Sequence, residues 1–148
     1  MAPSQAALKT ASAQTPGWRR WLPPLLWVTA LFVLSTSIFS AANTSKIIEP
    51  VLRFLMPWAS GLAISTMHAL IRKLAHFTNY GVLFWLLIRG PMAGRPYAAL
   101  ALCVAYAMID ESHQLLAPGR TPSIYDVAID SSGALFSRFL HAAVSDLA

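Results

Sequence analysis

Four apolar stretches dominate the chain, and each is predicted to form a membrane-spanning helix. They cover residues 21–39, 74–88, 97–116 and 124–140. A bilayer core of roughly 30 Å corresponds to about 20 residues of α-helix. The loops between the last three stretches are short and contain the glycines and prolines that end helices. The pattern predicts an all-α fold, a polytopic membrane bundle of about four transmembrane helices with antiparallel neighbours.

The periodicity changes between the first and second stretches, where an amphipathic helix is predicted. Apolar residues recur at helical spacing from Ile47 to Leu55, while Lys46, Glu49 and Arg53 occupy the other side. This pattern is typical of an interfacial helix that lies on the membrane surface, and Pro57 marks its end. No turn separates the apolar residues 58–71 from the second span, so they are predicted to extend the helix of that span outwards.

The composition supports a membrane protein with one domain. Of 148 residues, 56% are hydrophobic and 11% are charged, against about 25% charged in an ordinary soluble domain. Residues 1–17 are rich in Ala, Ser, Gln, Thr and Pro and are predicted to be a disordered N-terminal tail. Residues 18–148 then form the transmembrane domain. The lipid bilayer is the expected partner, and the oligomeric state does not follow from the sequence.

The distribution of basic residues indicates which partners the protein can bind and how it is oriented in the membrane. The net charge is +5, but the cations are scattered without interleaved aromatic residues, so no nucleic-acid partner is expected. Lys and Arg are divided almost equally between the two predicted sides. The first helix usually dominates orientation, and Arg19 and Arg20 precede it. The prediction is a multi-pass protein of the bacterial cytoplasmic (inner) membrane with a cytoplasmic N-terminus.

Three of the predicted spans each carry one polar stripe, because polar residues recur there at intervals of three and four. The helical rise places all three stripes in the outer half of the membrane. An ionised side chain in hydrocarbon costs several kcal/mol, so these side chains are predicted to face one another or water. The resulting candidate polar site comprises Lys73, His76, Asp110, Glu111, His113, Gln114, Arg120, Asp126 and Asp130.

Several of these residues also have a structural interpretation. Depth makes Lys73 the best candidate to pair with Asp130, and such a pair would fix helix register. Gly133 begins a small-residue face that permits close helix contact. His68 and His141 have no acidic residue at helical spacing and are left out of the site. The cluster supplies enough nitrogen and oxygen for zinc or a hard divalent cation. No compact ligand motif occurs, so the sequence identifies neither a metal nor another cofactor.

Three segments carry a family resemblance: R-K-L-A-H-F-T-N-Y-G at 72–81, D-E-S-H-Q-L at 110–115, and P-G-R-T-P-S-I-Y-D-V-A-I-D-S-S-G at 118–133. In this order they resemble the VanZ-like family of bacterial membrane proteins. Many relatives look like H-F-x-E-Y where this chain has Asn79, so a role for glutamate there does not transfer. The resemblance implies that the family's motif positions are occupied here by Lys73, His76, Asp110, Glu111, Gln114, Arg120, Asp126 and Asp130.

The resemblance also implies a role in the cell envelope, because the founding member is associated with low-level resistance to the lipidated glycopeptide teicoplanin. One hypothesis is that the outward-facing site binds an anionic, polar or lipid-linked envelope component. The other is an intramembrane hydrolase or transferase with His76 or His113 as acid or base and with carboxylates that orient it or hold a metal. The absence of a compact catalytic motif favours the first, but the sequence does not decide whether the protein is an enzyme.

Overall fold

The computed structural model describes residues 17–120 and 122–146, so the predicted tail lies almost entirely outside the described residues. Within them the chain forms five α-helices and no strand, which confirms the all-α prediction. Two short 3-10 helices, Gly17–Arg20 and Ser37–Phe39, flank the first of these α-helices. The α-helices are α1 (Leu22–Leu34), α2 (Ala41–Leu55), α3 (Gly61–Arg89), α4 (Pro96–Gln114) and α5 (Ile124–Ser145).

The prediction of one continuous helix over residues 21–39 is wrong, because α1 ends at Leu34. The chain bends by 66° between Gly17–Leu34 and Ser37–Leu55. Thr36 Oγ1 donates to the carbonyl of Val33 over 2.7 Å, and such local bonds compete with the helical ladder. Among the helices of residues 17–120 and 122–146, none alone has both the length and the apolar character of a membrane span. The two bent segments meet both criteria when they are taken together.

The remaining helices follow the predicted pattern. α3 has 29 residues and begins at Gly61, so the predicted continuation of the helix at 74–88 into the preceding apolar residues is confirmed from Gly61 onwards. The hydroxyl of Ser60 accepts a hydrogen bond from the Ala63 amide over 3.2 Å and caps the start of α3. The amphipathic segment forms α2, in which Leu52 is buried whereas Phe54 is 84% exposed.

The closest contact in the bundle joins α3 to α5. A Cβ atom added at Gly133 would lie 2.0 Å from the carbonyl oxygen of Phe77, and one added at Gly81 would lie 2.8 Å from Ser137 Oγ. Because residue numbers rise together across these contacts, α3 and α5 run in the same direction. The structural interpretation of Gly133 is therefore confirmed. The core beside this contact consists mainly of Leu31, Tyr80, Leu83, Phe84, Cys103, Ala107 and Ala134.

Candidate functional site

The guanidinium group of Arg120 lies at the break between α1 and α2. Its Nε and Nη2 donate to the carbonyl of Thr36 over 3.2 Å and 2.9 Å, and Nη2 also donates to the carbonyl of Leu34. The last carbonyls of a helix have no helical partner and carry partial negative charge, so a cation there is stabilising. Burial lowers the pKa of Arg120, although the ordinary value is so high that the group stays charged.

Arg72 holds the other side of the same break. Its Nη1 donates to the carbonyl of Phe39 over 3.0 Å and to Thr44 Oγ1 over 3.2 Å. Arg72 comes from α3 and Arg120 from the loop after α4, so two distant segments fix the irregular backbone between α1 and α2. Arg72 was not among the predicted site residues.

Two polar pairs join α3 to α5, one helical turn apart. Lys73 Nζ lies 3.0 Å from Asp126 Oδ1, and His76 Nδ1 lies 3.2 Å from Asp130 Oδ1. The predicted pairing of Lys73 with Asp130 is therefore wrong by one turn. The close contact of Gly133 with the Phe77 backbone fixes this register, because it determines the position of α5 along the axis of α3. Asp130 is 1% exposed, whereas the side chain of Lys73 is 48% exposed.

Asp110 is buried on the α4 side of the same region, beside Ser35 and Gln114. Its Oδ1 atom and the hydroxyls of Ser35 and Tyr80 make no well-aligned hydrogen bond within the described part of the chain, although Ser35 and Gln114 lie close to the carboxylate. A buried polar atom without a partner is costly and unusual in a folded protein. These three atoms lie together and form a buried polar surface.

These three atoms belong to residues that line a cavity of about 180 Å³ between α1, α2 and α3. The apolar part of its wall includes Leu31, Ile48 and Ala75. Of the nine predicted site residues, His76, Asp110 and Arg120 line this cavity. Asp130 does not line it but is hydrogen-bonded to His76. The polar residues of the wall are Ser35, Thr44, Arg72, His76, Asn79, Tyr80, Asp110 and Arg120.

The other predicted residues lie around this cavity in different roles. Glu111 accepts a hydrogen bond from the amide of Ser123 and so fixes the start of α5. The ring of His113 packs on Phe32 of α1, with 4.5 Å between ring centroids. Gln114 lies beside Asp110. His113 therefore packs on α1 and does not line the cavity, although it was predicted to share the site with His76.

Sequence reasoning missed several residues of the cavity wall, namely Ser35, Thr44 and Arg72. The available signal was the run Ser35, Thr36, Ser37, which interrupts the first apolar stretch. Tyr80 and Asn79 also line the cavity and were not among the predicted site residues. Ser35 and Thr44 flank the broken backbone between α1 and α2, and this break brings them to the same cavity as the residues of α3.

His68 was left out of the site because it has no acidic residue at helical spacing, and the structure gives it an acidic neighbour from another helix. Its Nδ1 lies 3.8 Å from Glu49 Oε1 and its Nε2 lies 3.1 Å from Thr44 Oγ1. Both partners come from α2, so the helical spacing within α3 gave no sign of them. This buried group stabilises the contact between α2 and α3 and reaches the cavity wall through Thr44. Within residues 17–120 and 122–146, no three His, Cys, Asp or Glu side chains are grouped to hold a metal ion.

Comparison with known proteins gives one finding. A family model described as VanZ/LLP1 matches residues 9–144, which is nearly the whole chain. The match confirms the resemblance that the three polar segments carry. No curated protein and no solved structure matches the chain.

Proposed function

Because the chain belongs to the VanZ/LLP1 family, we propose that it is a multi-pass protein of the bacterial cytoplasmic membrane whose cavity binds a polar group of an envelope component. The N-terminus is cytoplasmic in this proposal, and the cavity lies towards the outer face. The bound component is anionic and belongs to the envelope or to a lipid-linked precursor of it.

The outer surface of the bundle supports the membrane part of the proposal. Large apolar side chains point outwards from every α-helix, among them Leu25, Phe54, Leu62, Ile109 and Phe139. Soluble monomers rarely expose contiguous apolar surface of this extent. Several ionisable residues of α3, α4 and α5, by contrast, pair or cluster inside the bundle. That arrangement is the one in which charged side chains are tolerated at membrane depth.

The observation that carries the binding proposal is the cavity wall, in which two guanidinium groups occur together with three buried polar atoms that make no well-aligned hydrogen bond among the described residues. Arg72 uses only Nη1, and Arg120 uses Nε and Nη2, in hydrogen bonds with the described residues. Each guanidinium therefore retains donors for a ligand. Planar guanidinium groups bind carboxylate and phosphate oxygens through paired donors, which favours an anionic ligand.

Substitution of Ala75 tests the proposal, because this exposed residue lines the cavity next to the two guanidiniums. Ala75→Glu adds a carboxylate that competes for them, whereas Ala75→Gln adds nearly the same volume without charge. In a bacterial host where the protein alters teicoplanin susceptibility, Ala75→Glu should remove much more of the effect than Ala75→Gln. If the two variants at equal membrane level behave alike, charge in the cavity does not matter and the binding proposal is wrong.

A second candidate function, an intramembrane hydrolase or transferase, is favoured by the pair of His76 and Asp130. A buried carboxylate that accepts a hydrogen bond from Nδ1 fixes the ring and leaves Nε2 to act as acid or base. His76→Gln separates the two functions. If the site is catalytic, the purified wild-type protein should turn over an envelope lipid and the His76→Gln variant should not. If the site only binds, neither protein should turn over the lipid and the variant should still bind it.

A further inference from the structure

A second cavity of about 220 Å³ lies in the cleft between α1, α3 and α4. Its wall is almost entirely hydrocarbon and includes Leu25, Leu83, Leu87, Leu102 and Ile109. The proposed function involves only the polar cavity and does not explain why this apolar cavity exists.

The two cavities follow one another along the same helix faces. On α1 the stripe runs from Val28 in the apolar cavity to Leu31 and Ser35 in the polar one, at intervals of three and four. On α3 the corresponding stripe runs from Leu83 to Tyr80. The lining residues of the two cavities are therefore neighbours along α1 and α3, with a polar set in one cavity and an apolar set in the other.

Two tyrosines mark the boundary between the cavities. The hydroxyl of Tyr106 donates to the carbonyl of Val28 over 3.0 Å, and the ring centroids of Tyr80 and Tyr106 are 6.1 Å apart. Tyr106 lines the apolar cavity and Tyr80 lines the polar one. Aromatic residues with a hydroxyl are well suited to a position where hydrocarbon meets polar groups.

We infer that the two cavities together bind a lipid phosphate, with the phosphate in the polar cavity and the hydrocarbon chain in the apolar cavity. The inference rests on the proposed function and specifies its ligand. Phosphate matches the donors that Arg72 and Arg120 retain, because three of its oxygens can each accept hydrogen bonds from a guanidinium. The chain matches the apolar wall, which offers almost no polar surface to a peptide or a sugar. A free phosphate would fill only the polar cavity.

Photolabelling tests the inference on the full-length protein in phosphatidylcholine nanodiscs. The probe is dodecyl phosphate with a diazirine at the end of its chain, and mass spectrometry locates the label. We expect saturable labelling of α1 and α4 residues that line the apolar cavity. Ala105→Trp, which puts an indole into that cavity, should lower this labelling roughly tenfold because the chain no longer fits. Ala128→Trp is the matched control, since Ala128 is exposed on α5 and lies outside both cavity walls.

Different results separate this inference from the proposed function. Equal labelling of Ala105→Trp and Ala128→Trp overturns the placement of the chain, and stronger labelling of Ala75→Gln than of Ala75→Glu then still supports anion binding. If Ala75→Glu and Ala75→Gln are labelled equally, the phosphate does not occupy the polar cavity and the inference fails. The proposed function fails only if these two variants also have equal effects on teicoplanin susceptibility.

Discussion

Nδ1 of His76 lies 3.2 Å from Oδ1 of Asp130, and this pair joins α3 to α5. It is more buried than the pair of Lys73 and Asp126, and His76 lines the polar cavity. Asp130 is almost completely buried and His76 is partly exposed. A buried pair of this kind adds little net stability, because desolvation offsets the attraction between its partners. Removal of one partner is costly, however, since it leaves the other buried without compensation.

The first prediction concerns this pair. His76→Phe should lower the free energy of unfolding by about 3 kcal/mol, because Asp130 then remains buried without a partner. The double variant His76→Phe, Asp130→Leu should recover much of that loss. Unfolding of the purified protein from mild detergent into a denaturing one, followed by circular dichroism, measures both. A double variant no more stable than His76→Phe would contradict the pairing.

The second prediction concerns the pair of Lys73 and Asp126, which is half exposed. A double-mutant cycle with Lys73→Met and Asp126→Leu should give a coupling free energy of about 0.5 kcal/mol, because solvent screens partly exposed ion pairs. A parallel cycle with Lys73→Met and Asp130→Leu serves as the control and should give a coupling close to zero. Stronger coupling in the control cycle would restore the pairing predicted from the sequence.

The third prediction concerns helix contact at Gly133. Gly133→Ala should lower the free energy of unfolding by about 3 kcal/mol, because the added Cβ meets the carbonyl oxygen of Phe77 at 2.0 Å and the backbones must separate. Gly61→Ala is the control, since the nearest atom to its Cβ, in the side chain of Arg53, is 3.9 Å away. A loss for Gly133→Ala no larger than for the control would show that the helices yield easily.

Helical periodicity was enough to predict α3, α4 and α5 and to place His76, Asp110 and Asp130 on faces that meet. It was not enough for the register of α5 along α3. Depth estimated from helical rise alone leaves an error of one turn, roughly 5.4 Å. The sequence therefore predicted a pair of Lys73 with Asp130. The close contact of Gly133 with Phe77 instead positions α5 so that Lys73 pairs with Asp126.

The break between α1 and α2 was missed for a different reason. Hydropathy averaged over residues 21–39 is high despite Ser35, Thr36 and Ser37, and only long-range contacts make an irregular backbone favourable there. Arg72 and Arg120 supply those contacts by binding carbonyls that a continuous helix would have paired internally. Because the cavity opens at this break, its polar wall could not be derived from the helical stripes alone.

The fourth prediction concerns topology. With a cytoplasmic N-terminus, the loop between α3 and α4 is inside and the loop between α4 and α5 is outside. In a Cys103→Ala background, Pro118→Cys should react with a membrane-impermeant maleimide in intact cells, and Ala93→Cys should react only after lysis. Both positions are exposed, so solvent access within the protein does not limit the reaction. The reverse labelling pattern would move the cavity to the cytoplasmic side.

The fifth prediction uses the two tyrosines between the cavities, because loss of each hydroxyl should affect stability and function differently. The Tyr80 hydroxyl is buried without a partner among the described residues, so Tyr80→Phe should leave the free energy of unfolding unchanged or raise it by up to about 1 kcal/mol. Tyr106→Phe loses the hydrogen bond to Val28 and should lower it by about 1 kcal/mol. If the Tyr80 hydroxyl serves a bound ligand, Tyr80→Phe should nevertheless weaken dodecyl phosphate labelling more than Tyr106→Phe does. A folded, equally labelled Tyr80→Phe protein would show that this hydroxyl has no part in binding.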